Sequence, residues 1–178
     1  MNNLNILFYN LNSFNMRYLI LVLLITFFTG CGKVDNSAKN IALIEKYVQS
    51  VENQDFEGIS SVLADDYLGL GPSFGDSIRK PAALENWKDN ITNLYESIKY
   101  NKSRNAAFTI TEGDNQGDWI SNWAELKITY KDDRGAVTIW ANTIYQIENE
   151  KIVKSFTFYN EADALRQLGY VFINPNDL

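Results

Sequence analysis

Histidine is absent from this 178-residue chain, and cysteine occurs once, at position 31. The first absence removes the commonest zinc ligand and the usual general base, which excludes ordinary zinc sites and Ser-His or Cys-His nucleophile pairs. The second excludes an internal disulfide. Basic side chains are also in short supply: 16 Lys and Arg stand against 22 Asp and Glu, a formal charge of −6. An acidic chain is a poor match for nucleic acid or anionic headgroups, so no nucleic-acid partner is expected. Gly69 and Gly71 do not make a phosphate loop, because the lysine and following hydroxyl of that motif are missing. No metal and no cofactor are expected.

What is present begins with an address. Arg17 precedes an apolar run from Tyr18 to Phe28, too short to span a bilayer and the right length for the core of an export signal. Phe28-Thr29-Gly30-Cys31 follows and resembles the lipobox of bacterial lipoproteins, in which the cysteine is lipidated and becomes the first mature residue. Phe28 stands where that pattern usually has Leu. The reading is a lipoprotein signal peptide over 1–30, lipid on Cys31, a tether over 31–40, one domain over 41–170 and a loose tail over 171–178. An uncleaved signal anchor is the competing reading, disfavoured by the short run. Met16 can serve as the start, leaving 1–15 outside the product. Residues 31–178 carry a charge of −7, since Arg17 is the one charged residue removed. Attachment to a membrane of the bacterial cell envelope, periplasmic or on the outer surface, would then depend on the lipid.

Periodicity organises the rest. Ile41, Ile44, Tyr47, Val48 and Val51 recur at helical spacing, with Ser37 as N-cap and an end near Asn53. Phe56, Ile59, Val62 and Leu63 form a shorter stripe. Residues 65–72 switch to period two, a short strand, and 71–80 read as a loop. Pro81 suits the first turn of a third helix with the stripe Leu84, Trp87, Ile91, Leu94, Tyr95 and Ile98. Residues 101–105 read as a polar connection, and 106–111 as a strand before the turn at 112–118. From Trp119 to Tyr159 three alternating runs read as an antiparallel meander. The link Lys131 to Gly135 suits a type I turn closed by Gly135, placing Asp132 opposite Ala136 and Asn142 near Leu126. Asn149 suits the first position of a two-residue hairpin. That register gathers Asn122, Leu126, Trp140, Asn142, Ile144, Ser155, Thr157 and Tyr159 on one face. It leaves Trp123, Val137, Ile139, Tyr145 and Phe156 on the other, an apolar patch large enough to predict a homodimer. Glu161 to Gly169 reads as a helical cap.

Helices followed by antiparallel strands predict an α+β domain. The order helix, helix, DDYLGLGP, third helix, then a meander ending KIVKSFTFYNEADALRQLG resembles the nuclear transport factor 2-like superfamily, in its SnoaL-like branch. Lys151-Ile152, Phe158-Tyr159 and Gln167-Leu168-Gly169 carry the resemblance, over residues 37 to 170. It implies a curved antiparallel sheet wrapped around N-terminal helices, a cone with an apolar cavity, and dimerisation through the outer sheet face. Enzymes of this family include epoxide hydrolases, dehydratases, ketosteroid isomerases and polyketide cyclases. They commonly end the last strand with an aspartate after the aromatic pair, where this chain has Asn160, which cannot act as a base.

The candidate ligand-binding residues are Tyr67, Trp87, Trp140, Asn142, Thr157 and Tyr159: aromatic walls for a small apolar or ring-containing molecule, and two polar groups to orient it. No catalytic residue can be named. Asp65 and Asp66 cannot form a dyad on a strand, where neighbours point to opposite faces, and Glu125 falls on the odd face with Lys127. The balance favours a lipid-anchored binding or accessory module over a SnoaL-like enzyme doing proton-transfer, cyclase, dehydratase or hydrolase chemistry.

Overall fold

The computed structural model describes residues 35–174 and 176. The export segment and Cys31 lie outside the described residues. Helix α1 (Ser37–Glu52) buries Ile44, Tyr47 and Val51. It begins with Asn36 at the cap position, so its first turn occupies residues assigned above to the tether. Ser-Ala-Lys-Asn contains no breaker, and Asn40 turns inward to a buried position. Helix α2 (Phe56–Val62) is capped by Asp55, whose carboxylate accepts from the Gly58 amide at 2.9 Å. Gly58 is required there: a Cβ would lie 2.3 Å from both the Asp55 carboxylate and the Ser50 hydroxyl. Strands β1 (Leu63–Leu70) and β2 (Ser77–Arg79) follow, then α3 (Lys80–Asp89) with proline in its first turn. A π-helical turn (Asn90–Leu94) leads into β3 (Tyr95–Ile110), β4 (Gly117–Tyr130), β5 (Ala136–Glu148), β6 (Lys151–Tyr159) and the capping helix α4 (Glu161–Gln167).

The six strands form one curved, unclosed sheet in the order β2-β1-β6-β5-β4-β3, with the helices packed against it. It is mixed rather than wholly antiparallel, because β1 runs parallel to β6. The expected third helix is shorter than its stripe. Helix α3 stops at Asp89, and Tyr95, Ile98 and the polar stretch 101–105 all belong to β3. That strand lies at the sheet edge, where Lys99, Lys102 and Arg104 are at home in solvent. A bulge at Lys102, with φ of 52°, carries it through the polar residues. The 71–80 loop likewise contains the short edge strand β2.

The meander is present, but its register corrects the expected one. Asp132 and Asp133 are both left-handed and Tyr130 pairs with Gly135, so Thr129, not Asp132, faces Ala136. A shift of three residues exchanges the faces of β5. Val137, Ile139 and Tyr145 are therefore core residues, whereas Trp140, Asn142 and Ile144 face outward. The second turn forms as expected, with Asn149 and Glu150 left-handed and Glu148 facing Lys151. A bulge at Val153 then shifts β6 by one residue, bringing Ser155, Thr157 and Tyr159 opposite Tyr145, Thr143 and Ala141.

Candidate functional site

The inner face of the sheet, α1, α3 and α4 enclose a cavity of about 910 Å³. Its deep part is built from phenols and hydroxyls on an aliphatic wall. Tyr47 projects from α1, Tyr67 from β1, Tyr100 from β3 and Tyr145 from β5, with Ile98, Leu126, Ile128 and Ile139 between them. The Tyr47 and Tyr145 rings meet edge to face at 5.7 Å. The Tyr67 hydroxyl is 2.7 Å from the Ser155 hydroxyl, and Thr143 and Thr157 pair at 3.2 Å. Burial pushes the Tyr47, Tyr67 and Tyr145 phenols up, and takes Tyr100 to about 12. At neutral pH all four are protonated and able to donate hydrogen bonds.

The mouth differs. Tyr95, Tyr130 and Tyr159, at strand ends and only partly buried, surround it together with exposed Asp133, Arg134, Glu161 and Tyr170. Asp133 and Glu161 are the carboxylates among the described residues that line the cavity, and both are exposed. Among the described residues no group of three acids, cysteines or histidines could hold a metal ion.

Of the six candidate ligand residues, the structure brings together Tyr67, Trp87, Thr157 and Tyr159, all lining the cavity. Trp140 and Asn142 are not with them. Trp140 is 66 % exposed on the outer face, and the Asn142 amide donates to the Ser121 hydroxyl at 2.9 Å and the Asn122 carbonyl at 3.0 Å. The register shift is the reason. Tyr47, Tyr95, Tyr100, Tyr130, Thr143 and Ser155 were missed. Tyr130 and Ser155 share the parity of Leu126 and Thr157 and so belong to the predicted pocket face, although neither is among the six candidate ligand residues.

Asp65 and Asp66 lie on the exterior. The Lys80 ammonium, 2.9 Å from Asp65, lowers that carboxyl below its usual range. Glu125 faces outward and pairs with Lys102 at 2.6 Å. Asn160, in place of an acid, caps α4 by accepting from the Asp163 amide at 3.0 Å.

Solved structures share this architecture. A candidate polyketide cyclase from Xanthomonas campestris superposes with a TM-score of 0.61 at 12% identity, over 75% of this chain and 99% of that one. A candidate SnoaL-like polyketide cyclase from Shewanella denitrificans gives 0.59 at 8% identity, over 73% and 96%. A nuclear transport factor 2-like protein from Burkholderia xenovorans gives 0.56 at 14% identity, over 73% and 95%. These likenesses show the fold, a nuclear transport factor 2-like α+β cone. No protein-family model matches the sequence, and no curated protein matches it significantly. In this cone the motif residues have structural duties. The Lys151 ammonium donates to the Ser61 carbonyl at the end of α2, and Ile152 is fully buried. The Gln167 amide binds both the N–H and the C=O of Thr138, at 2.9 and 3.0 Å, clasping α4 to β5.

Proposed function

We propose that this domain is an exported, lipid-anchored binding or accessory module whose cone takes up a small apolar or ring-containing molecule. The observation behind the reading is the chemistry of the deep cavity. Protonated phenols and hydroxyls can donate to acceptor oxygens, while Ile98, Leu126, Ile128 and Ile139 take up hydrocarbon. Proton-transfer catalysis needs a group whose pKa lies near the operating pH. The buried phenols are pushed the other way, and Asn160 serves as a helix cap. Among the described residues lining the cavity the carboxylates are Asp133 and Glu161, both exposed, so cyclase, dehydratase or hydrolase chemistry is less well supported than binding. Thermal melts with and without a panel of neutral ring compounds test this. A rise in Tm without turnover is expected, and no shift with any compound would oppose the reading.

Attachment is assigned to lipid on Cys31, from the Phe28-Thr29-Gly30-Cys31 sequence. Cys31→Ser should move the protein from the membrane fraction to the soluble one; an unmodified peptide joining Gly30 to Cys31 in the wild type would oppose it. A homodimer through the outer sheet face is likewise proposed, now on Trp123, Trp140 and Phe158, which are exposed there. Sedimentation should show a dimer, and a monomer at tens of micromolar would speak against one of ordinary interface size.

A further inference from the structure

The cavity mouth carries a cluster that a purely neutral ligand would not need. Tyr95 opens β3 and Tyr130 closes β4; they face each other across the strand pair, with ring centroids 5.4 Å apart and planes at 72°. Tyr159 ends β6 and interacts electrostatically with both. Burial is the first cause raising all three phenols; Glu161, the first residue of α4, comes next at Tyr159, follows Tyr130 and Tyr159 at Tyr95, and at Tyr130 is outranked by Arg134, which lowers that phenol. Asp76 adds to the negative field at Tyr159. Among the described residues lining the cavity, Arg134 is the one basic side chain. Its guanidinium donates to the Lys131 and Asn93 carbonyls, at 3.1 and 3.3 Å, and to the Asp132 carboxylate at 3.4 Å, and its charge still reaches Tyr130, whose phenol pKa it lowers.

We propose that Tyr95, Tyr130 and Tyr159, with Glu161, form an aromatic cage for an organic ammonium group, so that the ligand of the cone is an amphipathic cation. This rests on the reading of the cone as a binding cavity and adds the charge and polarity of what enters it. Aromatic faces carry negative quadrupole and attract cations that shed water easily, quaternary ammonium above all. A carboxylate beside the rings supplies the counter-charge without needing an N–H to accept. An anion would meet Glu161, Asp133 and Asp76 instead. The ammonium head would sit at the mouth, and the apolar body would extend past Trp87 and Thr157 towards Tyr67.

The test is isothermal titration of the full chain reconstituted in lipid nanodiscs, corrected with empty nanodiscs. Three soluble benzyl compounds serve as probes: benzyltrimethylammonium, benzyl alcohol and benzylsulfonate. The cation should bind roughly tenfold more tightly than either of the others, within the range of about two- to thirtyfold spanned by ordinary cation–π contacts. Glu161→Gln should weaken the cation and leave the alcohol unchanged, whereas Tyr159→Leu, which alters the cavity wall as well, should weaken the cation more than the alcohol. Tyr159→Phe keeps the ring and should keep most of the affinity, which separates the cage from a hydroxyl contact or a misfolded variant. Equal binding of cation and alcohol, with no effect of Glu161→Gln, would overturn the cage and leave the cavity reading in place. Failure of all three probes would overturn both.

Discussion

The two faces of the β4–β6 meander carry similar residues and meet opposite surroundings. The inner face presents Ile120, Asn122 and Leu126, then Ile139, Thr143 and Tyr145, then Ser155, Thr157 and Tyr159; the outer face presents Trp119, Trp123, Trp140, Asn142, Ile144, Phe156 and Phe158. Each mixes aromatic, aliphatic and amide side chains, so residue type does not say which lines the cone. Parity does, and it is set by a few backbone details: the left-handed pair Asp132 and Asp133, and the bulge at Val153. Nor is the outer face uniformly wet. Trp119 is 1 % exposed because Phe108 and Phe156 flank its ring, at 6.4 and 6.1 Å, and its indole donates to the Asn115 carbonyl at 2.8 Å. Trp140, on the same face, is mostly in solvent.

That contrast between two tryptophans gives the largest expected effect. Trp119→Ala should cost about 3–5 kcal/mol in urea unfolding, whereas Trp140→Ala should change monomer stability by no more than about 0.5 kcal/mol. Comparable losses at both sites would mean that Trp140 is buried by something else. On the inner face, alkaline titration should expose the buried phenols. Their folded pKa values are raised, with Tyr95 and Tyr100 at about 12, so the stability they contribute is complete below pH 10 and is lost as pH rises from about 10 to 12. Tyrosinate absorbance should therefore rise together with unfolding; smooth titration of every phenol near pH 10 in a folded protein would disagree. Tyr67→Phe removes the hydroxyl paired with Ser155 and should cost about 1 kcal/mol. Ser155→Ala added to it should cost less than it does alone. The smallest effect belongs to Asn142→Leu: at most about 1 kcal/mol and no change in ligand binding, since its partners lie on the outer face. Weakened binding in that variant would reopen the assignment of the two faces.

Much of the architecture was legible in the chain. Helix α1, the Pro81 entry to α3, the Asn149 turn and the cap after Tyr159 follow from local chemistry. The resemblance carried by Lys151-Ile152, Phe158-Tyr159 and Gln167-Leu168-Gly169 added the cone, and two of these motifs tie elements together: Lys151 joins β6 to the end of α2, and Gln167 clasps α4 to β5. What was not legible depended on nonlocal pairing. Nothing in Lys131 to Gly135 says that two aspartates will both turn left-handed, and nothing in Ile152-Val153-Lys154 announces a bulge. An error of three residues at the first placed Trp140 and Asn142 in the cavity. The bulge at the second returned Thr157 and Tyr159 to the inner face, where the cavity has them. The long edge strand β3 was hidden because Leu94, Tyr95 and Ile98 continue a helical spacing that its own pairing overrides.

The central claim is that the inner face, and not the outer one, is the binding surface. A crystal structure of the protein with a neutral naphthyl compound tests it most directly. The ring should be found inside the cone, against Tyr67, Trp87, Thr157 and Tyr159, with nothing ordered over Trp140 and Asn142. A ring bound on the outer face, or a cone closed by its own side chains with the compound absent, would contradict the account.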